Sequence, residues 1–292
     1  MPEFRQGLVI KNYSGFYYVQ DHQGVIFECK TRGKLKKKIL SGDYVKFTHL
    51  DSKRGILEEI MPRTNELSRP KIANVGIVLI VMANDKPVPN LPLLDRLLLL
   101  SYYNKMTPYI ILNKADLPKS PKAQLMNYYE AAGFNVIHAS IKTGLGIETI
   151  RTAIKDKIAV FAGSSGAGKS SLLSELTEGQ KIITQEISER IGGGKHTTRH
   201  VELYPLPGGG LIADTPGFSI LDLPPINSRE LINYYPDFQN YIAQCQFSNC
   251  IHNKEVICGV KQALVNGEIA EFRYNNYLTI LEELIENERC YR

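Results

Sequence analysis

The sequence predicts an α/β protein in three parts: a small N-terminal β-barrel, a central, mostly parallel sheet layered with helices, and a mostly helical C-terminal segment. Three observations carry this reading. Short alternating apolar runs punctuated by glycine and aspartate fill residues 1–65. Apolar strand runs alternate with helical patterns across residues 72–218. Three cysteines and a histidine crowd into residues 219–292. A chain of 292 residues suits two or three domains. Its 43% hydrophobic and 22% charged content is that of a globular chain with a sizeable core.

The barrel is read from Gly7–Lys11, Gly15–Gln20, Gly24–Cys29 and Asp43–Phe47, period-two runs at hairpin spacing that suggest five short antiparallel strands. A barrel of this size with a basic loop resembles an OB-fold. Residues 1–65 hold 12 Lys/Arg against 7 Asp/Glu, and the densest cluster is Lys30–Lys38 with Lys34, Lys36, Lys37 and Lys38. Such a run is either a solvated loop or a surface that gains affinity by releasing counterions from a phosphate backbone. Arg63–Lys71, polar, preceded by Pro62 and containing Pro70, reads as the linker.

In the central segment, strands are expected at Val75–Met82, Pro108–Leu112, Asn135–His138, Ile158–Ala162 and Leu211–Ala213. Helices are expected near Leu91–Asn104, Lys122–Ala132, Ile147–Lys155 and Lys169–Leu176. Ligands of such sheets sit at the carboxyl ends of the strands. The stretch Gly163-Ser164-Ser165-Gly166-Ala167-Gly168-Lys169-Ser170, followed by Ser171, fits G-x-x-x-x-G-K-[ST]. Its glycines let backbone N–H groups approach phosphates. Lys169 would reach the β- and γ-phosphates, and Ser170 would ligate Mg²⁺.

Asn113-Lys114-Ala115-Asp116 is the N-K-x-D pattern: the Asp116 carboxylate accepts two N–H bonds from a guanine edge, and the Lys114 stem covers the base. Ser140-Ile141-Lys142, after the next strand, would support it. Together they argue for GTP over ATP. Asp214-Thr-Pro-Gly217 suits a metal-facing carboxylate followed by a glycine amide for the γ-phosphate. Between them, Ile191–Arg199 is glycine-rich and offers Thr197 or Thr198 as a second Mg²⁺ hydroxyl; spacing does not separate the two, and Thr198 is favoured. A water-orienting Gln is expected after D-x-x-G, but Phe218 stands there. Either hydrolysis is very slow or another group positions the water, with His196 the nearest candidate catalytic residue. The base reader precedes the phosphate loop, the reverse of the usual order.

Cys245-x4-Cys250-x-His252-x5-Cys258 is a full tetrahedral set for structural Zn²⁺ with no open position; free buried thiols are the alternative. Five cysteines, an odd number, argue against a disulfide framework. The start Met1-Pro-Glu-Phe-Arg lacks a secretory pattern, and no apolar run reaches membrane-spanning length. A cytoplasmic protein is expected.

The order of base reader, supporting loop, phosphate loop, switch threonines and D-T-P-G resembles the circularly permuted bacterial GTPases of the RsgA (YjeQ/YloQ) family. Leu93–Leu97 and Gly194–Thr198 match as well. The resemblance spans essentially the whole chain. It implies an α/β chain with an N-terminal OB-fold (1–65), a central circularly permuted P-loop GTPase domain (72–218) and a mostly helical, zinc-binding C-terminal domain (219–292). It also implies GTP hydrolysis stimulated by the small ribosomal subunit late in its maturation. By the same resemblance Cys245, Cys250, His252 and Cys258 ligate zinc, His196 is catalytic, and the basic loop contacts ribosomal RNA. Lys195 stands where relatives carry Arg or another polar residue. A constitutive RNA-binding structural protein is the first alternative, disfavoured by the intact Lys169, Ser170 and Asp214. A metabolic kinase is the second, disfavoured by N-K-x-D. A monomer is expected.

Overall fold

The structure is a computed structural model, and it describes residues 4–31, 33, 37–51, 53–178, 201–214 and 222–290. Among these, β1 (Phe4–Tyr13), β2 (Phe16–Asp21), β3 (Ile26–Thr31), β4 (Tyr44–His49) and β5 (Arg54–Ile60) close into a barrel in the order β1-β2-β3-β5-β4. Val9, Val19, Phe27, Val45, Phe47 and Leu57 fill its interior, alternate residues of each strand pointing inward. A wholly antiparallel barrel was the expectation, and β3·β5 departs from it by pairing parallel. Parity forces this: strands that alternate up and down around a closed ring of odd number must leave one neighbouring pair parallel.

The expected linker is a structured clasp. Glu66–Ser68 (β6) and Lys71–Ala73 (β7) form a hairpin that buries Leu67 and Ile72. Arg63 pairs with Asp43 at 2.7 Å and Glu66 at 2.5 Å. The short alternation was masked in the sequence by Pro70 in its turn and by Pro62 shortly before it.

The central sheet contains β8 (Ile77–Ala83), β9 (Thr107–Asn113), β10 (Val136–His138), β11 (Ile158–Ala162), β12 (Glu202–Pro205) and β13 (Leu211–Asp214), in the order β10-β9-β8-β11-β13-β12. Neighbours are parallel except β12·β13. β8 is buried throughout, as a central parallel strand covered on both faces must be. Its alternate residues feed two cores. Val78, Ile80 and Met82 pack with Leu94, Leu97 and Leu98 of α1 (Leu91–Tyr103), while Ile77, Leu79 and Val81 pack with α4 (Ile147–Ala153) and α5 (Lys169–Leu176). Asn90 caps α1, its side chain accepting from Leu93 N–H at 3.0 Å. The single helix expected over Lys122–Ala132 is instead two, α2 (Pro121–Leu125) and α3 (Asn127–Ala131). The break at Met126 lets both Met126 and Tyr129 enter the core. β12 was not anticipated, because four residues around a tyrosine and a proline carry too little periodicity to be read.

The C-terminal segment has two 3-10 turns (Leu231–Tyr234, Pro236–Phe238), α6 (Gln239–Ile242), α7 (Gly259–Val265) and α8 (Glu271–Cys290). α8 buries Arg273, Tyr274, Tyr277, Ile280, Leu281 and Leu284, one stripe at helical spacing. That stripe packs against Leu231, Tyr235, Phe238 and Val260, and Leu99 of α1 joins the same cluster. No helix among the described residues is long and apolar enough to cross a membrane.

Candidate functional site

Asn113–Asp116 and Gly163–Ser170 stand at the carboxyl ends of two parallel strands, β9 and β11, that flank β8. β11 ends at Ala162, and the chain turns through Gly163–Gly168 directly into α5. Gly163 and Gly168 sit at φ +117° and +101°, where a side chain is strained. Space excludes one as well: an added Cβ would lie 2.2 Å from Val81 O at Gly163 and 2.2 Å from Asn113 Nδ2 at Gly168. The loop therefore lies flat against β8 on one side and Asn113 on the other.

Asn113 joins the two motifs. Its buried Nδ2 donates to Ala167 O at 2.9 Å across 54 residues of chain. Lys114, in a left-handed conformation at φ +59°, lays its stem along the loop; Nζ donates to Gly166 O at 3.1 Å and to Lys86 O. Asp116 Oδ1 accepts from Ser140 Oγ at 2.7 Å, and Lys142 Nζ stands 3.7 Å from Oδ2. The Ser140 hydrogen bond, with a smaller pull from Lys142, holds the Asp116 carboxyl below its ordinary value. A braced carboxylate, its side chain only 18% exposed, thus stands beside the loop.

Lys169 opens α5 and turns back into the loop, Nζ donating to Gly163 O at 2.8 Å and Ser164 O at 2.7 Å. Burial pushes its pKa below the usual lysine value. Ala167 is buried, Ser164 half-buried, and Ser165, Ser170 and Ser171 are exposed. β13 runs parallel to β11 with Ala213 opposite Val160. The next step brings the backbone of Asp214 beside Phe161, at the mouth of the loop.

The structure thus brings Asn113, Lys114, Asp116, Ser140, Lys142 and Gly163–Ser171 together. Lys37 and Lys38 sit exposed on the barrel, between β3 and β4. Lys34, Lys36, His196, Thr197, Thr198, Gly217 and Phe218 lie outside the described residues. The sequence reading passed over Asn84 and Lys86, which follow β8. Asn84 N–H donates to Asn113 O at 3.0 Å, its Nδ2 to Leu117 O at 2.9 Å, and Lys86 O holds Lys114. Their signal was positional: β8 lies between the two motif-bearing strands, and the residues after it line the same crevice.

The second candidate site is the cluster Cys245, Cys250, His252 and Cys258, whose four donor atoms lie within 4.8 Å of one another and could hold a metal ion. His252 Nδ1 stands 3.5 Å from Cys245 Sγ and 3.3 Å from Cys258 Sγ, and the two sulfurs are 3.9 Å apart. Burial pushes the Cys250 thiol to about 12 and lowers His252; buried thiols ionise only when a cation repays their desolvation. Groups unread in the sequence support the loop. Tyr274 and Tyr277 of α8 donate to His252 O at 2.7 Å and Ile251 O at 3.0 Å, and Glu255 accepts from Ile251 and Asn253 N–H.

Comparison with known proteins agrees with this geometry. The family model described as RsgA GTPase matches residues 60–224, and that described as RsgA N-terminal domain matches residues 6–57. The chain is 46% identical over 288 residues to the small ribosomal subunit biogenesis GTPase RsgA of Carboxydothermus hydrogenoformans, an alignment covering 97% of this chain and 99% of that one. It is 42% identical over 290 residues to the RsgA of Alkaliphilus metalliredigens, with 97% and 99% covered. Among solved structures it is similar to YloQ, a circularly permuted GTPase, at TM-score 0.82 and 36% identity over 98% of this chain and 96% of that one. It is also similar to YjeQ from Thermotoga maritima, at TM-score 0.82 and 34% identity over 97% and 99%. A family model over more than half of the chain and relatives this similar from end to end are enough: the chain belongs to the RsgA GTPase family.

Proposed function

We propose that this chain hydrolyses GTP to GDP and phosphate, that the small ribosomal subunit stimulates it, and that it acts late in the maturation of that subunit. The observation that carries the reading is the Asn113–Ala167 hydrogen bond, by which the base reader and the phosphate loop, reversed in chain order, close into one site. In this reading Asp116 accepts the two guanine N–H groups, Asn113 braces the loops, and Lys114 with Ser140 and Lys142 frames the base. The amides of Gly163–Ser171 cradle the phosphates, and Lys169 exchanges its two carbonyl partners for phosphate oxygens. Ser170, Thr198 and Asp214 would hold Mg²⁺, which when bound neutralises charge on the β- and γ-phosphates. The described part of that set fits: Ser170 is exposed on the first turn of α5, and the end of β13 adjoins the loop. The Gly217 amide would meet the γ-phosphate.

With Phe218 unable to orient water, His196 takes that role. His196→Ala is expected to lower turnover by about 10²-fold or more while leaving GTP affinity within about twofold, read from single-turnover hydrolysis and nucleotide titration. Unchanged turnover would remove His196 from the reaction.

The C-terminal cluster is proposed to hold one structural Zn²⁺. A tetrahedral site with Zn–S near 2.3 Å has sulfur–sulfur edges of about 3.8 Å, against 3.9 Å between Cys245 and Cys258. Metal analysis is expected to return one zinc per chain, and Cys250→Ala is expected to lose it together with several degrees of melting temperature. Zinc retained at full stoichiometry in that variant would refute the ligand set.

Three bodies with boundaries at 1–65, 72–218 and 219–292 divide the work. The barrel's Lys34, Lys36, Lys37 and Lys38 are proposed to contact ribosomal RNA, and the protein to act as a cytoplasmic monomer. The deciding experiment measures GTP turnover with and without purified small ribosomal subunits: a large subunit-dependent increase is expected, and its absence would overturn the reading.

A further inference from the structure

The barrel is fastened to the strand that follows the glycine-rich segment 191–199. Ser41, fully buried, donates from Oγ to Val201 O at 2.6 Å. Lys11 of β1 pairs with Glu202 at 3.1 Å, both side chains largely shielded from solvent. The apolar core runs through the same junction, where Leu8, Ile10 and Tyr18 of the barrel share one cluster with Val201, Leu203 and Ala213. Glu202 opens β12 and lies opposite Asp214 across the β12·β13 ladder. Three residues before Val201 stands Thr198.

Ser41 is equally bound toward the basic loop. Ile39 and Leu40 are buried, and Leu40 N–H donates to Asp43 Oδ2 at 2.8 Å. Arg63 grips Asp43 at 2.7 Å and Lys38 O at 2.6 Å, and Ala73 N–H donates to Ser41 O at 3.0 Å. Lys38, Leu40, Ser41 and Val201 therefore form a continuous clamped path from the basic loop to the β12–β13 edge. Close-packed interiors transmit strain along such paths.

We propose that Ser41 and the Lys11–Glu202 pair are positioning residues that carry engagement of the barrel by nucleic acid to the γ-phosphate side of the nucleotide site. The inference rests on the functional reading above, in which Thr198 and Asp214 serve Mg²⁺. It requires coupling between two distinct sites, an effect that usually amounts to between about fivefold and 150-fold.

The test uses the full chain, with GTP turnover measured alone and with purified small ribosomal subunits, and subunit binding followed by co-sedimentation. Lys11→Glu and Glu202→Lys are each expected to leave free-chain turnover, GTP affinity and subunit binding within about twofold, yet to lower subunit-stimulated turnover about fivefold or more. The double charge swap is expected to recover most of that loss, which a merely destabilised barrel would not. Stimulated turnover equal to the parent's in both single variants overturns the proposal. So does a loss of stimulation explained by lost binding, or a swap as impaired as the single variants. Should a charge variant melt well below the parent, Ser41→Ala, which removes one hydroxyl, is held to the same turnover and binding outcomes. A parent chain that subunits do not stimulate overturns the functional reading and this coupling with it. A stimulated parent with indifferent variants overturns the coupling alone.

Discussion

Replacing Arg273 with methionine is expected to destabilise the protein by about 3–5 kcal/mol, the usual cost of leaving a buried charge without its partner. Arg273 on α8 is 1% exposed. Its Nε and Nη2 each donate to Asp237 at 2.9 Å, its Nη1 pairs with Asp95 at 2.7 Å, and its guanidinium lies 4.1 Å from the Tyr235 ring centre. Asp95 also accepts from Tyr129 at 2.5 Å and Asn276 at 2.7 Å, and Asp237 accepts from Tyr128 at 2.9 Å. Burial opposes the charged guanidinium, but the two carboxylates outweigh it and its pKa lies well above the usual value. Burial also raises Asp95, against the pull of Arg273. The guanidinium stays charged in either case, so the pair is set by Arg273. With the arginine gone, two carboxylates remain in the interior between α1, α3, α8 and the Pro236–Phe238 turn. The melting temperature is expected to fall by about 10 °C, read by circular dichroism. Adding Asp95→Asn to Arg273→Met is expected to return part of the loss by removing one orphaned charge. A single variant that melts within about 2 °C of the parent would show that solvent reaches the cluster.

Asp116→Asn is expected to weaken GTP binding by about 10²–10³-fold. Hydrogen bonds to a charged group are worth about 1.5–3 kcal/mol each, and Asp116 is assigned two to guanine. Each 1.4 kcal/mol is about tenfold in affinity. Asparagine keeps one acceptor and turns a donor toward the base, which suits the second carbonyl of xanthine. Xanthosine triphosphate is therefore expected to gain affinity as GTP loses it. The asparagine oxygen can still take the Ser140 hydroxyl that Asp116 now accepts, so the melting temperature should hold. Titration with fluorescent nucleotides reads both affinities. GTP binding as tight as the parent's would remove Asp116 from base recognition.

Both predictions concern charged side chains, yet only one of them was legible in the sequence. Asp116 belongs to four contiguous residues that fit the N-K-x-D pattern, and it follows an apolar run that had to be a strand. Arg273 stands near the start of an acidic helix and reads as an ordinary solvated charge. Its partners Asp95 and Asp237 lie far away in the chain, so no local pattern announces that three charges meet in the interior. The clasp at Glu66–Ala73 and the edge strand Glu202–Pro205 were missed for a related reason. Elements of three or four residues bury too little to show a period, and they form because neighbours already in place supply their hydrogen bonds. The parallel β3·β5 pair follows from ring closure, which no single strand encodes.

What is legible in the sequence is a set of motifs: G-x-x-x-x-G-K-S, N-K-x-D, a three-cysteine, one-histidine set and a basic run on a barrel, in an order that points to one family. Each is short-range, because a ligand atom imposes its own spacing on the residues around it. How these parts are joined is visible only in three dimensions. Asn113 is bonded to the phosphate loop, the strand end before Asn84 separates the two motifs, Ser41 and Lys11 tie the barrel to β12, and Arg273 bolts α8 to α1. Those contacts join residues distant in sequence whose types are individually common, so their meaning arises only when burial removes water and leaves each polar group one partner to find.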